Sequence, residues 1–205
     1  MRFVSIPYEN SGRTGQKHRT RNQLIAAARQ IVTAGGTAPT VDEAAAAAGI
    51  SRATAFRYFP NQKALLIAAH PEVGVASYVP EDAGSDPEKR LRGTVRAFIA
   101  MIIDTEPQQR TMLRLSLDPR TEPRQLPLRA GRAISWFEEA LAPLELTGEE
   151  IHRVAVAVRS AVGIEALVWL TDVAGLTREQ AARSMTWTAM AILREATTHG
   201  PPPEE

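Results

Sequence analysis

The chain reads as all-α, with a small N-terminal three-helix unit ahead of a larger C-terminal helical one. Three observations predict this class. Apolar residues recur at intervals of three and four along nearly the whole length, and no segment alternates convincingly as a strand would. The candidate helices open on Thr, Ser, Asp or Asn and close on Gly or Pro, as capping physics requires. The 205 residues include 13 Gly and 14 Pro, and many of these fall between the periodic stretches. Cysteine is absent, so the fold cannot rest on disulfides or on a cysteine-bound zinc.

The first helix is expected from about Thr20 to Ala34, with Leu24, Ala27, Ala28, Ile31 and Val32 as its apolar stripe and Gly35-Gly36 as its stop. Thr40, with Glu43 three positions on, forms a capping box that opens a second helix running to Ala48. The alanine run 44–48 favours helix and lets another helix approach closely. Gly49 supplies the positive φ of a sharp turn, Ile50 plugs the space beneath it, and Ser51 caps a third helix ending near Tyr58. Ala55 and Phe59 share one face of that helix. Pro60 ends it, and Asn61 caps a fourth helix through Ala69, anchored by Leu65, Leu66 and Ala68. Val41, Ala44, Ile50, Phe56 and Phe59 are the expected packing partners of the first helix.

A short helix delivered across a tight turn and carrying Arg52, Thr54 and Arg57 suits a DNA major groove. Arg52, Arg57 and Lys63 have no acidic neighbour within the turn and third helix. The charge distribution points the same way. Net charge over the chain is +1, but residues 1–70 hold nine Lys/Arg against three Asp/Glu, and residues 71–205 hold 15 against 20. A basic head on an acidic body fits one unit that neutralises phosphates joined to one that does not. Arg13, Lys17, Arg19 and Arg21 read as a loose basic arm ahead of the first helix, able to follow a DNA backbone or enter a minor groove; a plain disordered leader over Met1–Gly15 is the competing reading.

Residues 70–86, with two prolines and two glycines, break the helical pattern and read as an irregular connector. Asp86-Pro87 opens a helix through about Thr105 with Leu91, Val95, Phe98, Ile99 and Ile102 inward. Pro107 begins another that carries Met112, Leu113 and Leu117; residues 119–127 form a punctuated loop, and a helix over about 128–142 presents Ile134, Phe137 and Leu141. One long helix is expected from Thr147 to Thr171, and a last one after Gly175, capped by Thr177 with Gln180. The expected organisation is therefore a head over 16–69, a connector over 70–86, a helical body over 87–199, and tails at 1–15 and 200–205.

Residues 20–69 resemble the DNA-binding domain of the tetracycline-repressor (TetR) family of bacterial regulators. The resemblance rests on Thr40-Val, Ala44, Ala48-Gly-Ile-Ser, Thr54, Phe56, Tyr58-Phe59-Pro, and Lys63 followed by Ala-Leu-Leu. It implies a homodimer that binds a palindromic double-stranded DNA operator and leaves it when a small-molecule effector enters the C-terminal domain. By position, it implies phosphate contacts from Thr40, Tyr58 and Lys63, and base-edge contacts from Arg52, Ala53 and Thr54. Ser51 and Arg57 complete the candidate DNA-binding set. Phe56 stands where the family often has tyrosine, which removes one hydroxyl from the backbone contacts, and Ala55 replaces a larger aliphatic residue. The last two helices would form a four-helix dimer interface, with Val158, Val162, Met185, Ala189 and Ile192 as candidate contacts; intrachain core is the alternative duty of these residues.

For the effector site, Met101, Met112, Trp136, Glu165 and Trp169 offer adaptable apolar surface and one carboxylate, which can otherwise pair with Arg114 or Arg132 or face solvent. The four histidines are scattered, Gly35-Gly36 precedes no Gly-Lys-Ser/Thr, and no thiolate exists, so neither an enzyme, a metal site nor a cofactor is expected. No signal peptide and no bilayer-length apolar run are read, giving a cytoplasmic expectation with no membrane partner. The alternatives to a ligand-released repressor are an activator or ligand-independent regulator, and a helical dimerisation or small-molecule-binding protein whose head no longer reads DNA.

Overall fold

The computed structural model describes residues 9–34, 38–69, 75–117 and 132–203, with the backbone alone for 9–14 and 132. Two compact units follow one another, Met1–Val73 and Gly74–Glu205. Every regular element among the described residues is helical.

In the N-terminal unit, α1 spans Glu9–Thr33, α2 Val41–Ala47, α3 Arg52–Tyr58 and α4 Gln62–Ala69. Seven-residue helices such as α2 and α3 are too short to persist alone, so caps and core contacts must hold them. The core is formed by Leu24, Ile25 and Ala28 of α1, Val41, Ala44 and Ala45 of α2, Ala55 and Phe59 around α3, and Leu65, Ala68 and Ala69 of α4. Ile50 packs against this cluster from beneath the turn, as its position predicts. The Arg29 Nε donates to the Ala69 carbonyl at 2.8 Å, closing α1 against the end of α4.

Two expectations for this unit change. The first helix starts at Glu9 rather than near Thr20, so Lys17, Arg19 and Arg21 lie on a helix and not on a loose arm. Nothing between Glu9 and Thr33 contains a proline, and Gln16, Lys17 and Arg19 are tolerant helix formers, so the helix runs on past its buried stripe. Phe56 is the second correction: it is 36% exposed and does not belong to the core. The 100° step per residue that buries Ala55 turns its neighbour outward. The Gly35-Gly36 stop and residues 70–74 lie outside the described residues.

In the C-terminal unit, residues 75–80 are irregular and Glu81–Ala83 make a single 3₁₀ turn. There follow α5 (Pro87–Asp104), α6 (Glu106–Ser116), α7 (Arg132–Leu141), α8 (Gly148–Ala161), α9 (Ile164–Val168) and α10 (Arg178–His199). The expected loop at 119–127 and the start of the helix expected from 128 lie outside the described residues. Asp86 accepts the amides of Glu88 and Lys89 at 3.0 and 3.1 Å, and Thr147 and Thr177 form complete capping boxes with Glu150 and Gln180. Helices α5, α7, α8 and α10 pack together. At their centre Phe98 is 1% exposed, with Phe137 edge-on at 5.6 Å, Trp136 at 5.9 Å and Tyr78 at 6.3 Å. Such aromatic pairs each add about 0.5–1.5 kcal/mol beyond the area they bury.

The long helix expected over 147–171 is broken. Val162 leaves helical geometry at φ −128°, ψ 113°, and after α9 the chain widens into a π-helical turn at Trp169–Val173. The break is stabilised by Arg159, whose Nη1 donates to the Val162 carbonyl at 3.2 Å and to Glu165 Oε2 at 3.1 Å. A Cβ on Gly163 would stand 2.3 Å from that Nη1 and 2.8 Å from that carboxylate oxygen, so the missing side chain leaves the space the pair fills. By length and composition, Gly148–Val173 does contain an apolar run able to span a bilayer, contrary to the sequence reading. Here Val154, Ala155, Val158, Val162, Ile164 and Leu167 of that run are buried in the unit's own core.

A charge cluster ties α6 to the other end of this unit. Glu106, 8% exposed at its side chain, accepts from Arg110 Nε at 2.7 Å and from Arg178 Nε at 2.6 Å. Arg110 also grips Asp172 through both Nη atoms, at 2.7 and 2.8 Å. Burial alone would push the Glu106 carboxyl up, but the guanidiniums of Arg178 and Arg110 together hold it below its ordinary value. Arg110 brings Asp172 down to about 2, with a hydrogen bond from Thr171 assisting.

Candidate nucleic-acid interface

The turn between α2 and α3 is built from backbone bonds that a left-handed residue completes. Gly49 has φ +65°, its amide donates to Ala46 O at 3.2 Å, and the Ile50 amide reaches Ala45 O at 2.9 Å. Ser51 Oγ then accepts the Thr54 amide at 3.3 Å and donates to Thr54 Oγ1 at 2.9 Å. Ala55 faces the core fully buried, which fixes the rotation of α3 about its axis. The side chains left outward are Arg52, Ala53, Phe56 and Arg57, a continuous stripe one and four residues apart. Thr54 and Tyr58 flank it half-buried, and Tyr58 packs against the core.

Electrostatics within this surface are partly internal. Arg52 Nε lies 3.1 Å from Asp42 Oδ1 of α2, and its guanidinium sits 5.5 Å from the centre of the Phe56 ring. Sequence inspection of the turn and third helix alone misses this acidic partner, because Asp42 comes from the preceding helix. Thr40 is committed to its capping box: its Oγ1 accepts the Glu43 amide at 3.2 Å and donates to Glu43 Oε2 at 2.9 Å. The Thr40 amide, first, and then its hydroxyl hold the Glu43 carboxyl below its ordinary value. Lys63 stands in the first turn of α4, half-buried, where Asn61 Oδ1 caps the Ala64 amide at 2.8 Å. Arg21 lies over the Phe59 ring at 5.4 Å, and Lys17 and Arg19 are exposed along α1.

A capped helix behind a glycine turn, turned outward by its own core contacts, defines the class: a helix-turn-helix DNA-binding domain. Residues 24–69 match the family model for bacterial regulatory proteins of the tetR family. Among solved structures the chain is similar to a TetR transcriptional regulator from Rhodococcus sp. RHA1, with TM-score 0.58 and 14% identity over 87% of this chain and 98% of that one. No curated protein matches the sequence at a significant level. The family match thus covers the N-terminal unit, residues 24–69, and the structural likeness shows that the whole chain shares the fold of such a regulator.

The residues expected around an effector are placed differently from one another. Met112 and Trp136 are each 3% exposed; Trp136 donates from Nε1 to the Ala76 carbonyl at 3.2 Å and meets the Tyr78 ring at 4.7 Å. Met101 is half-buried and its sulfur accepts from Gln109 Nε2 at 3.4 Å. Glu165 pairs with Arg159 and not with Arg114, while the Arg132 side chain lies outside the described residues. Trp169 is 59% exposed, because the π-helical turn carries it to the surface. It therefore faces solvent, whereas Met112 and Trp136 are buried.

Of the candidate dimer contacts, Val158, Val162, Met185 and Ala189 are at most 1% exposed within the single chain and serve its own core. Only Ile192 retains surface. Apolar periodicity marks the face of a helix that is buried first, and that is the intrachain face. Outward on the same helices stand Val156 and Ala157 of α8 and Thr188, Ala191 and Ile192 of α10. No group of three or more His, Asp or Glu among the described residues is placed to hold a metal ion.

Proposed function

We propose that this DNA-binding regulator acts as a homodimeric repressor on a palindromic operator and is released from it by a small-molecule effector. One observation carries the reading of DNA: α3 presents Arg52, Ala53, Phe56 and Arg57 outward, while Ala55 locks that orientation from the core. Arg52 and Arg57 have the reach and fork geometry for guanine edges and phosphates. Thr40, Tyr58 and Lys63 serve as backbone contacts at its margins, with Ser51 and Thr54 fixing the start of the helix. On α1, Lys17 and Arg19 extend the positive surface along a helix, which follows phosphates rather than threading a minor groove.

Two-fold symmetry supplies the second half-site. The outer surface of α8 and α10, with Val156, Ala157, Thr188, Ala191 and Ile192, is the face we assign to the partner; its small residues permit close helix approach. The effector is assigned to the interior around Met101, Met112 and Trp136.

The test selects sites from random duplexes with the full-length protein and titrates the recovered site at two salt concentrations. The reading expects a palindrome bound by one dimer, with affinity falling steeply as salt rises. Equal affinity for scrambled duplexes, or no binding at low salt by a folded dimer, overturns it.

A further inference from the structure

A groove between α5 and α10 carries a cation cluster that the DNA-binding reading does not use. Arg92 and Arg96 of α5 face Arg183 and Arg194 of α10 across it, with Met190 buried at 3% in its floor and Trp187 67% exposed at its edge. Its volume is about 370 Å³. Four arginines thus line one groove of a unit whose overall balance is acidic, 15 Lys/Arg against 20 Asp/Glu over residues 71–205. Only Arg92 has an acid within ion-pair distance among the described residues, Glu88 one turn earlier. Glu179, four residues before Arg183, acts on that side only at longer range.

This arrangement has a physical cost without an occupant. Like charges held around one groove repel, and their fields add within it. A large indole kept two-thirds in solvent likewise loses the burial that would stabilise it. An anion with a planar apolar body removes both costs. Guanidinium forks match carboxylate or phosphate oxygens, the indole offers a stacking face, and Met190 adapts to an apolar edge. The volume falls in the range of small-molecule sites, about 300–1,000 Å³. We infer that the α5–α10 groove is a binding site for a small aromatic anion, held by Arg92, Arg96, Arg183 and Arg194 and stacked on Trp187. The shared chemistry is a doubly or singly charged oxyanion head on a planar ring.

The experiment uses the full-length protein with two probes, 1-naphthyl phosphate for a phosphate head and 1-naphthoate for a carboxylate head. Calorimetry reads binding and tryptophan fluorescence reads stacking. The site predicts that at least one probe binds and quenches, and which of them does so identifies the head group. In the Arg96→Ala/Arg194→Ala protein affinity should fall at least tenfold, while Trp187→Phe should abolish the quench. Arg96→Lys, which keeps charge and fold but loses the fork, should weaken binding by a smaller factor. Arg57→Ala, in the basic head, should leave the affinity unchanged. The inference is overturned if neither probe binds, if the groove substitutions leave affinity within twofold, or if Arg57→Ala costs as much as they do. Protection of Trp187 from acrylamide that grows with protein concentration would also overturn it, because a second copy would then cover the groove.

Discussion

Asp42 restrains Arg52, the α3 residue we assign to base edges, so removing its charge should tighten DNA binding. The pair Arg52–Asp42 spans 3.1 Å, with side chains 77% and 47% exposed. An ion pair this open is worth about 0.2–1 kcal/mol, and its loss is part of the cost of moving Arg52 onto DNA. Taking about 0.5 kcal/mol per half-site, a dimer on a two-fold site would gain about 1 kcal/mol, or roughly fivefold in affinity, from Asp42→Asn. The isosteric amide keeps the shape of the first turn of α2, and Thr40 with Glu43 still caps it. The effect should shrink at high salt, where surface charges are screened within about a Debye length. Fluorescence anisotropy with the selected operator, at two ionic strengths, measures it. In an Arg52→Ala background the same substitution should lose most of its benefit, since a coupling exists only while both partners are present. An Asp42→Asn protein with unchanged helix content that binds no tighter at low salt refutes the reasoning.

Other expectations follow from the same geometry. Gly49→Ala places a Cβ at φ +65° in open space, so the cost is backbone strain alone, about 1–2 kcal/mol, read as a lower melting temperature; an unchanged melt would contradict it. Lys63→Ala should reduce the slope of log K against log salt by about 1.8 for a dimer, about 0.9 per lost phosphate contact, and an unaltered slope removes that role. Glu106→Gln should destabilise the protein by about 2 kcal/mol, below the range for fully buried pairs because Arg110 and Arg178 are 34% and 54% exposed. Since the folded Glu106 carboxyl lies below its ordinary 4.5, its contribution is present above that pH and is lost as pH falls through the folded value. Acid unfolding followed by circular dichroism should therefore be less steep in Glu106→Gln, and a parallel acid limb would contradict the assignment.

The head was legible because its determinants are local. Thr40 and Glu43, Gly49, Ser51 and Asn61 act on amides within three residues of themselves, and each does so in the structure. The start of α1 was not legible, since a polar stretch of sequence with no apolar stripe looks like a leader. The break at Val162–Gly163 was equally hidden: periodicity continues across it, and the geometry is held by Arg159 reaching forward to the Val162 carbonyl and Glu165. A single glycine in an apolar helix carries no mark of that bond.

Site residues were legible in proportion to how directly burial constrains them. Ala55 identifies the inner face of α3, so Arg52, Ala53 and Arg57 could be placed outward from sequence, while Phe56 was misplaced by its hydrophobicity alone. On α8 and α10 the same signal misled: Val158, Val162, Met185 and Ala189 were apolar because they fill their own unit, and a surface awaiting a partner must also survive in water. The surface we assign to the partner accordingly carries small or mixed residues such as Ala157, Thr188 and Ala191, which periodicity does not single out. The arginine groove illustrates the converse. Arg92, Arg96, Arg183 and Arg194 lie on two helices more than 80 residues apart in part, and each alone reads as an ordinary solvated charge. Only the packing of α5 on α10 turns four separate cations into one field, and a field of that kind is a property of the fold, which can be tested by neutralising any one of its members.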